Sequence, residues 1–162
     1  MSLDPAEANT ANRHKGRECA LQMLFAADLT DTGAEAVIDN YWRELGDGAV
    51  DMATRDFADR IVAGTLTHLE DIDELIKKRT EHWRIERMAL VDRNILRLAV
   101  FEFRYCDTPN PVAINEALEV ARRFSTYEAT QFINGVLDGI RLDIEAAGTA
   151  EPDSGQPATT QQ

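Results

Sequence analysis

The chain has 162 residues, the length of one ordinary domain, and 44% hydrophobic and 28% charged residues give it the balance of a soluble globular protein. Its net charge of −12 excludes indiscriminate coating of nucleic acid, so any binding to phosphate must come from a local basic patch. No apolar run approaches the roughly 18 residues of a membrane span, and the first residues lack the features of a secretion signal. The two cysteines lie far apart and do not have the spacing of a metal site or a redox motif. We therefore expect a cytoplasmic protein.

The N-terminal residues 1–11 contain almost no side chain to bury, so we expect this segment to be disordered. The first helix is predicted to begin around residues 10–12, because apolar residues recur after that point at helical spacing. These residues are Cys19, Ala20, Met23, Leu24 and Ala27. Cys19 is therefore interpreted as a small core residue rather than as a nucleophile.

A dense basic cluster lies at the predicted start of this helix and consists of Arg13, His14, Lys15 and Arg17. Positive charge in the first turn of a helix is unfavourable with respect to the helix dipole. Two interpretations remain open on the residues alone. The cluster either binds an external anionic partner or only helps to keep the protein in solution.

Apolar residues at helical spacing recur in three further stretches, residues 57–72, 114–124 and 133–144. Glycines in segments 31–33 and 46–48 predict breaks between helices. The two prolines between residues 107 and 111 predict an extended connection, and Pro111 can open the next helix. No stretch alternates between apolar and polar residues with a period of two, so the fold is predicted to be all-α.

Residues 88–103 differ from these stretches, because apolar side chains occur on nearly every side of the predicted helix. We therefore predict a central helix that several others pack against. Its charged residues would lie partly buried and should be paired, because a buried charge without a partner is costly. These residues are Asp92, Arg93, Arg97 and Glu102.

Phe132 lies at the margin of the apolar stripe of the last predicted helix. An aromatic ring in that place can pack at the edge of the core or offer a flat face to an unstacked base, and the residues alone favour packing.

Gly135, which costs about 1 kcal/mol relative to alanine inside a helix, is interpreted as a point of close helix–helix approach. Asn134 is interpreted as a hydrogen-bond partner for a neighbouring backbone. The polar tail, residues 149–162, is expected to be disordered.

No residue pattern predicts catalysis or a metal site. His14, His68 and His82 belong to different segments, and none has a Cys or His three or four positions away. The sequence also lacks a glycine-rich phosphate loop and a nucleophile elbow. We therefore expect no enzyme activity, no cofactor and no bound metal.

Four segments together resemble the NusB family of transcription antitermination factors. They read RECALQMLF at 17–25, VDRNILRLAVFE at 91–102, PVAINEALEVA at 111–121 and FINGVLD at 132–138. The segments occur in the order and at the spacing of that family, and the last two are highly specific. Residues 12–148 are accordingly identified as a NusB-like all-helical domain between the two terminal segments.

The resemblance implies a compact bundle of about seven helices, arranged as two small subdomains around the central apolar helix. It also implies an RNA-binding antitermination factor that binds the boxA element of ribosomal RNA leader transcripts. The implied partners are NusE, a protein of the small ribosomal subunit, and the antitermination complex on RNA polymerase. Some members self-associate, so the resemblance leaves a homodimer open.

The resemblance also assigns the RNA-binding residues. The basic start of the first helix maps onto Arg13, Lys15 and Arg17, and the aromatic residue before the Asn-Gly-Val-Leu-Asp block maps onto Phe132. The family often has a denser arginine run where His14 and Gly16 interrupt this cluster, so we expect weaker RNA binding by the protein alone.

Two alternatives accompany this reading. The same helical module precedes the catalytic domain of ribosomal RNA cytosine methyltransferases, but only a short polar tail follows residue 148, so no catalytic domain is expected. The second alternative is a helical protein–protein adaptor without RNA binding of its own.

The surface that binds NusE is predicted to lie within residues 57–75 and 85–91.

Overall fold

The computed structural model describes residues 4–45, 48, 50–80 and 85–150. Seven α-helices and one short 3₁₀ turn occupy these ranges, and no strand occurs in them, so the prediction of an all-α fold is confirmed. The helices are α1 (Pro5–Thr30), α2 (Ala34–Leu45), α3 (Met52–Thr67), α4 (Leu69–Arg79), α5 (Leu90–Tyr105), α6 (Asn110–Phe124) and α7 (Tyr127–Ala150), with the 3₁₀ turn at Ile85–Arg87.

Helix α5 is the centre of the bundle, as its apolar sequence predicts. It packs against α1 and α3 on one side and against α4, α6 and α7 on the other. Ile95, Leu96 and Leu98 have no exposed surface, because neighbours surround the helix on nearly every side. The helices α1–α3 contact one another, and α4, α5 and α6 each pack on α7, so α5, which also contacts α1 and α3, joins two small subdomains.

Three of the four charged residues of α5 that were predicted to be paired, Arg93, Arg97 and Glu102, form ion pairs, whereas Asp92 accepts a hydrogen bond from Ser125 Oγ instead. Arg97 donates from Nε to Asp73 at 2.8 Å and from Nη1 to Asp28 at 3.2 Å. Arg93 and Asn94 donate to the same Asp28 carboxylate at 3.1 and 2.7 Å. The cluster ties α5 to α1 and α4 with every charge compensated by a partner.

Acidification is expected to weaken the cluster around Asp28. Burial alone would raise the pKa of Asp28, but hydrogen bonds from Asn94 and Arg93 and the charge of Arg97 hold that pKa below its ordinary value. Such a carboxyl group adds stability above its ordinary pKa of 3.8 and loses that contribution as the pH falls through its lower folded-state value. Urea denaturation at pH 7 and pH 3 should show a smaller acid-induced loss in Asp28→Asn than in the wild type. An equal loss in both would contradict this role of Asp28.

Helix α1 begins at Pro5, well before the predicted start at residues 10–12, and residues 5–11 are therefore helical. Pro5 fits the first helical position, where its missing N–H costs nothing, and Glu7 is an acid in the first turn, where the helix dipole favours it. The basic cluster thus begins in the third turn of α1. The prediction that these charges lie in the first turn of the helix is wrong, and the helix dipole does not disfavour them, since its effect fades within that turn.

Three other helix boundaries predicted from the sequence can be compared with the structure. The break at residues 31–33 is confirmed, although Asp31 rather than the glycine takes the left-handed conformation, with φ of 51°. Helix α6 begins at Asn110, one residue before Pro111. Helix α7 continues to Ala150, and residues 151–162 of the predicted tail lie outside the described residues.

Gly135 does not mark a close helix–helix approach, which corrects the sequence-based interpretation. A Cβ atom at this position would meet nothing within 4 Å. The residue lies on the exposed side of α7, while Ile133, Val136 and Leu137 face the core.

Within the described ranges, no helix is long and apolar enough to cross a membrane.

Candidate nucleic-acid interface

Arg17 is buried, with only 2% of its surface exposed. Its Nε donates to Oε2 of Glu102 at 2.8 Å and to Oε1 at 3.2 Å, and Nη2 donates to Oε1 as well. Glu102 has no exposed surface on α5, and it also accepts a hydrogen bond from Thr108 Oγ1 at 3.1 Å. The pair fixes α1 against α5, and the predicted contact of Arg17 with RNA stays a prediction.

Polar contacts continue from Arg17 to α6 through His14 and the carboxylates of Glu116 and Glu18. Arg17 Nη1 lies 3.4 Å from Oε2 of Glu116, and the same oxygen lies 3.4 Å from His14 Nδ1. His14 Nε2 lies 3.1 Å from Oε1 of Glu18. Arg123 donates to both oxygens of Glu18, at 2.8 and 2.9 Å. The orientation of the basic cluster is therefore set by the fold.

Arg13 lies over the aromatic ring of Phe57 on α3, with its Cζ 5.0 Å from the ring centroid. Both residues line a hollow of about 260 Å³ between α1, α3 and the connection before α6, which also contains the exposed Arg60. We call it the arginine hollow. Neither Arg13 nor Arg60 has an ion-pair partner among the residues that the structure describes. Two uncompensated cations bordering one hollow are suited to bind a phosphate group.

The opposing charges in the arginine hollow are two carboxylates, Asp107 and Glu116. Glu116 is engaged by Arg17 and His14, whereas Asp107 is exposed. Burial raises the pKa of the Cys106 thiol, which also lines the hollow, so this side chain is neutral at pH 7. The hollow therefore contains two cations without an ion-pair partner, Arg13 and Arg60, against one such carboxylate, Asp107, and its attraction for an anion is local.

Gly16 allows α1 to approach α3 closely enough to form this hollow. A Cβ atom at Gly16 would lie 2.7 Å from Phe57 Cδ1 and 3.2 Å from the carbonyl oxygen of Thr54. The residue that interrupts the basic cluster in the sequence is therefore required for packing. A bulkier residue there would push Phe57 away from Arg13.

Lys15 projects from a different side of α1, because two residues turn an α-helix by about 200°. Its side chain is 53% exposed, and its Nζ lies 4.0 Å from Oε2 of Glu18. Arg123, 63% exposed, binds the same carboxylate from α6. Lys15 and Arg123 thus lie side by side on a surface that we call the α1–α6 face, away from the arginine hollow.

Phe132 is half-buried on α7 and packs against the edge of the core. Its predicted position at the margin of the apolar stripe is confirmed, and its contact with RNA stays a prediction. Helix α7 packs on α4, α5 and α6, whereas α1 makes its main contacts with α3 and α5. The structure thus does not place Phe132 in the arginine hollow.

Comparison with known proteins decides the family. The sequence profile described as the NusB family matches residues 14–141 of the chain. The chain belongs to the NusB family. It is 49% identical over 138 residues to the transcription antitermination protein NusB of Koribacter versatilis, a match that covers 85% of this chain and 93% of that protein. It is 42% identical over 135 residues to the protein of the same name from Bacillus subtilis, with 82% and 97% covered.

Solved structures agree with the NusB fold. The structure of T. maritima NusB is 34% identical, covers 81% of this chain and 91% of its own, and superposes with a TM-score of 0.71. A crystal structure of the antitermination factors NusB and NusE in complex with dsRNA is 24% identical, covers 82% and 98%, and gives a TM-score of 0.72. At that level of identity, the second likeness shows the fold alone.

The four residues predicted for RNA binding do not form one cluster in this NusB-family chain. Arg13 and the buried Arg17 both line the arginine hollow, whereas Lys15 lies on the α1–α6 face and Phe132 lies on α7. Sequence analysis missed Arg60, because no local pattern shows that α3 brings it beside Arg13. The only signal was its place one turn after Phe57 on an amphipathic helix.

A metal centre finds no support in the described part of the chain. No group of three or more His, Cys, Asp or Glu side chains there could hold a metal ion. Cys19 is 1% exposed in the core, as predicted, and both it and Cys106 are free thiols. His82 lies outside the described residues.

Proposed function

We propose that this chain is an RNA-binding transcription antitermination factor that acts without catalysis. It binds the boxA element of ribosomal RNA leader transcripts together with NusE, within an antitermination complex on RNA polymerase. The observation that carries the proposal is the 42% and 49% identity, over more than four fifths of the chain, to relatives named transcription antitermination proteins. The NusB–NusE–dsRNA structure, which has the same fold, supports the choice of partners.

In this proposal the arginine hollow and Lys15 supply the phosphate contacts. Arg13, Arg60 and Lys15 are three cations that a strand can approach, and three contacts give a slope of about −2 for log K against log salt on a single strand. The net charge of −12 opposes RNA binding elsewhere on the molecule. A second protein that contacts the same strand therefore raises a modest affinity.

Phe132 is the proposed base contact. A single strand presents unstacked bases, and stacking of one base on an aromatic ring contributes about 1–3 kcal/mol. Because the ring is half-buried and packed at the edge of the core, it is held in place before the base arrives. The hollow thus positions the backbone, and the aromatic ring receives a base.

The test of the proposal is fluorescence anisotropy with labelled boxA RNA, with and without purified NusE, at two salt concentrations. A scrambled RNA of equal length measures specificity. We expect NusE to tighten binding to boxA RNA and the affinity to fall with salt. If NusE binds the chain but RNA adds nothing to the complex, the chain is a protein–protein adaptor and the RNA-binding role is wrong.

Arg60→Ala is expected to weaken RNA binding about three- to tenfold and to reduce the salt slope by about 0.7, because one phosphate contact is lost. Arg13→Ala is expected to have a similar effect. The matched control is Lys77→Ala, which removes a half-exposed cation that is paired with Glu74 on α4. If all three variants weaken binding equally, the effect is one of overall charge and the hollow is not the contact.

The NusE-binding surface is proposed for residues 57–75 and 85–91. In that region α4 carries the exposed residues Glu70, Asp71 and Glu74. Charge reversal at Glu70 and Glu74 should weaken NusE binding measured by calorimetry without RNA. Unchanged binding in that double variant would move the NusE surface elsewhere.

A further inference from the structure

Tyr127, the first residue of α7, is the most exposed large hydrophobic side chain among the described residues, at 77%. Its hydroxyl oxygen accepts a hydrogen bond from Gln131 Nε2 at 2.7 Å, one turn further along the helix. This bond restrains the phenol ring and leaves its faces open to solvent. An exposed aromatic ring in a fixed orientation is a ready surface for stacking.

A hollow of about 450 Å³ lies beside this ring, between α6 and α7. Its apolar floor is Leu118, which is 7% exposed, and its rim includes Arg122 and Asn134. Asn134 follows Tyr127 by seven residues, so the two side chains lie on the same side of α7. Among the described residues, the Asn134 amide has no hydrogen-bond partner, which corrects its assignment to a neighbouring backbone. An open amide next to an aromatic ring matches the polar edge and flat face of a nucleobase.

A row of exposed cations leads from Lys15 on α1 to this hollow. Lys15 and Arg123 lie side by side on the α1–α6 face, where both contact the buried carboxylate of Glu18. Arg122, the next residue, is 55% exposed at the hollow, and its only ion-pair partner in the described residues is Glu119. The three exposed cations of the row outnumber the carboxylates that they contact, which are the buried Glu18 and the exposed Glu119. Such a row follows the phosphates of a single strand.

We propose that the Tyr127 hollow is a second base-stacking site for single-stranded RNA, and that Lys15, Arg123 and Arg122 guide the strand to it. One unpaired base lies on the Tyr127 ring with its edge towards Asn134. The inference rests on the RNA-binding role proposed above and extends the path of the strand over α6 and α7.

This site is separate from Phe132. Five residues of α-helix advance about 7.5 Å and turn by about 140°, so Tyr127 and Phe132 lie on different sides of α7. A single base cannot stack on both rings. The two contacts should therefore make independent contributions to affinity.

The test measures binding of labelled single-stranded boxA RNA to the full chain in the presence of NusE. Tyr127→Ala is expected to weaken binding about tenfold, whereas Tyr127→Phe, which keeps the ring, should stay within about twofold of the wild type. Leu142→Ala is the matched control, because Leu142 is a 50% exposed apolar residue on the same helix. Circular dichroism checks that each variant is folded.

A spectroscopic readout separates stacking from a general loss of affinity. RNA carrying 2-aminopurine at successive positions should show one position whose fluorescence is quenched by the wild type and by Tyr127→Phe, but not by Tyr127→Ala. If all three proteins quench it equally, no base stacks on Tyr127.

The remaining outcomes distinguish the two proposals. If the wild type binds no RNA with or without NusE, the proposed function fails and this site fails with it. If the wild type binds RNA and Tyr127→Ala binds it equally well, only the Tyr127 site is wrong. If Tyr127→Ala loses NusE binding in the absence of RNA, the exposed ring is a protein contact, and that also overturns the base-stacking site.

Discussion

Arg17→Ala is expected to lower the free energy of unfolding by about 3–5 kcal/mol, the largest effect of any single substitution considered for this chain. The substitution leaves the Glu102 carboxylate, which has no exposed surface, without the two-pronged hydrogen bond that compensates its charge. Thr108 Oγ1 at 3.1 Å remains as a donor, but a neutral hydroxyl does not replace a guanidinium. Urea denaturation at pH 7, followed by circular dichroism, measures the loss.

Two further variants serve as comparisons for the stability of Arg17→Ala. Lys15→Ala removes a neighbouring cation that is 53% exposed, and it should change the free energy of unfolding by less than about 0.5 kcal/mol. Arg17→Met combined with Glu102→Leu removes both buried charges, so the double variant should be more stable than Arg17→Ala alone. A loss below about 1 kcal/mol in Arg17→Ala would show that the pair does not hold α1 against α5.

This prediction also affects how RNA-binding data for Arg17 are interpreted. A variant that is partly unfolded at the assay temperature loses RNA affinity whether or not Arg17 touches RNA. Affinity should therefore be measured at a temperature where Arg17→Ala is fully folded. There we expect a smaller loss than for Arg13→Ala, because Arg17 is buried and bound to Glu102, whereas Arg13 has no ion-pair partner among the described residues.

The central helix was predictable because its evidence is local. Apolar side chains on every side of residues 88–103 require neighbours on every side, and a charged residue in such a helix requires a partner. The identity of the partners was not predictable. Arg17 and Glu102 are separated by 85 residues, and Arg97 and Asp28 by 69, so only the packing of the helices brings each pair together.

In the candidate interface, too, the sequence predicts only what depends on neighbouring residues along the chain. The sequence predicts RNA contacts at Arg13, Lys15, Arg17 and Phe132 through a local basic cluster and a family motif, but it does not show which side of α1 each cation occupies. Arg60 and Arg123 join the surface from α3 and α6. Their positions depend on helix contacts such as the one at Gly16, and no pattern in the sequence encodes those contacts directly.

Gly64→Ala is expected to destabilise the protein by about 3 kcal/mol, because the new methyl group has no space. A Cβ atom at Gly64 on α3 would lie 2.1 Å from Cζ and 2.2 Å from Cε2 of Phe101 on α5. Phe101 is only 5% exposed and stacks against Tyr105, with ring centroids 5.7 Å apart. Tyr105 stacks in turn on His68 at 4.0 Å, so the ring cannot move without disturbing its neighbours. Thermal and urea denaturation both measure the change.

The matched control is Gly135→Ala, which makes the same chemical change within a helix but meets nothing within 4 Å. That substitution should stabilise the protein by about 0.5–1 kcal/mol, because alanine restricts the unfolded chain more than glycine does and suits a helix better. The two substitutions should therefore change stability in opposite directions. If both stabilise, α3 and α5 are further apart than the Gly64–Phe101 contact requires. The same separation would then undermine the position of α1, since α1 packs on both of these helices and carries the proposed RNA contacts.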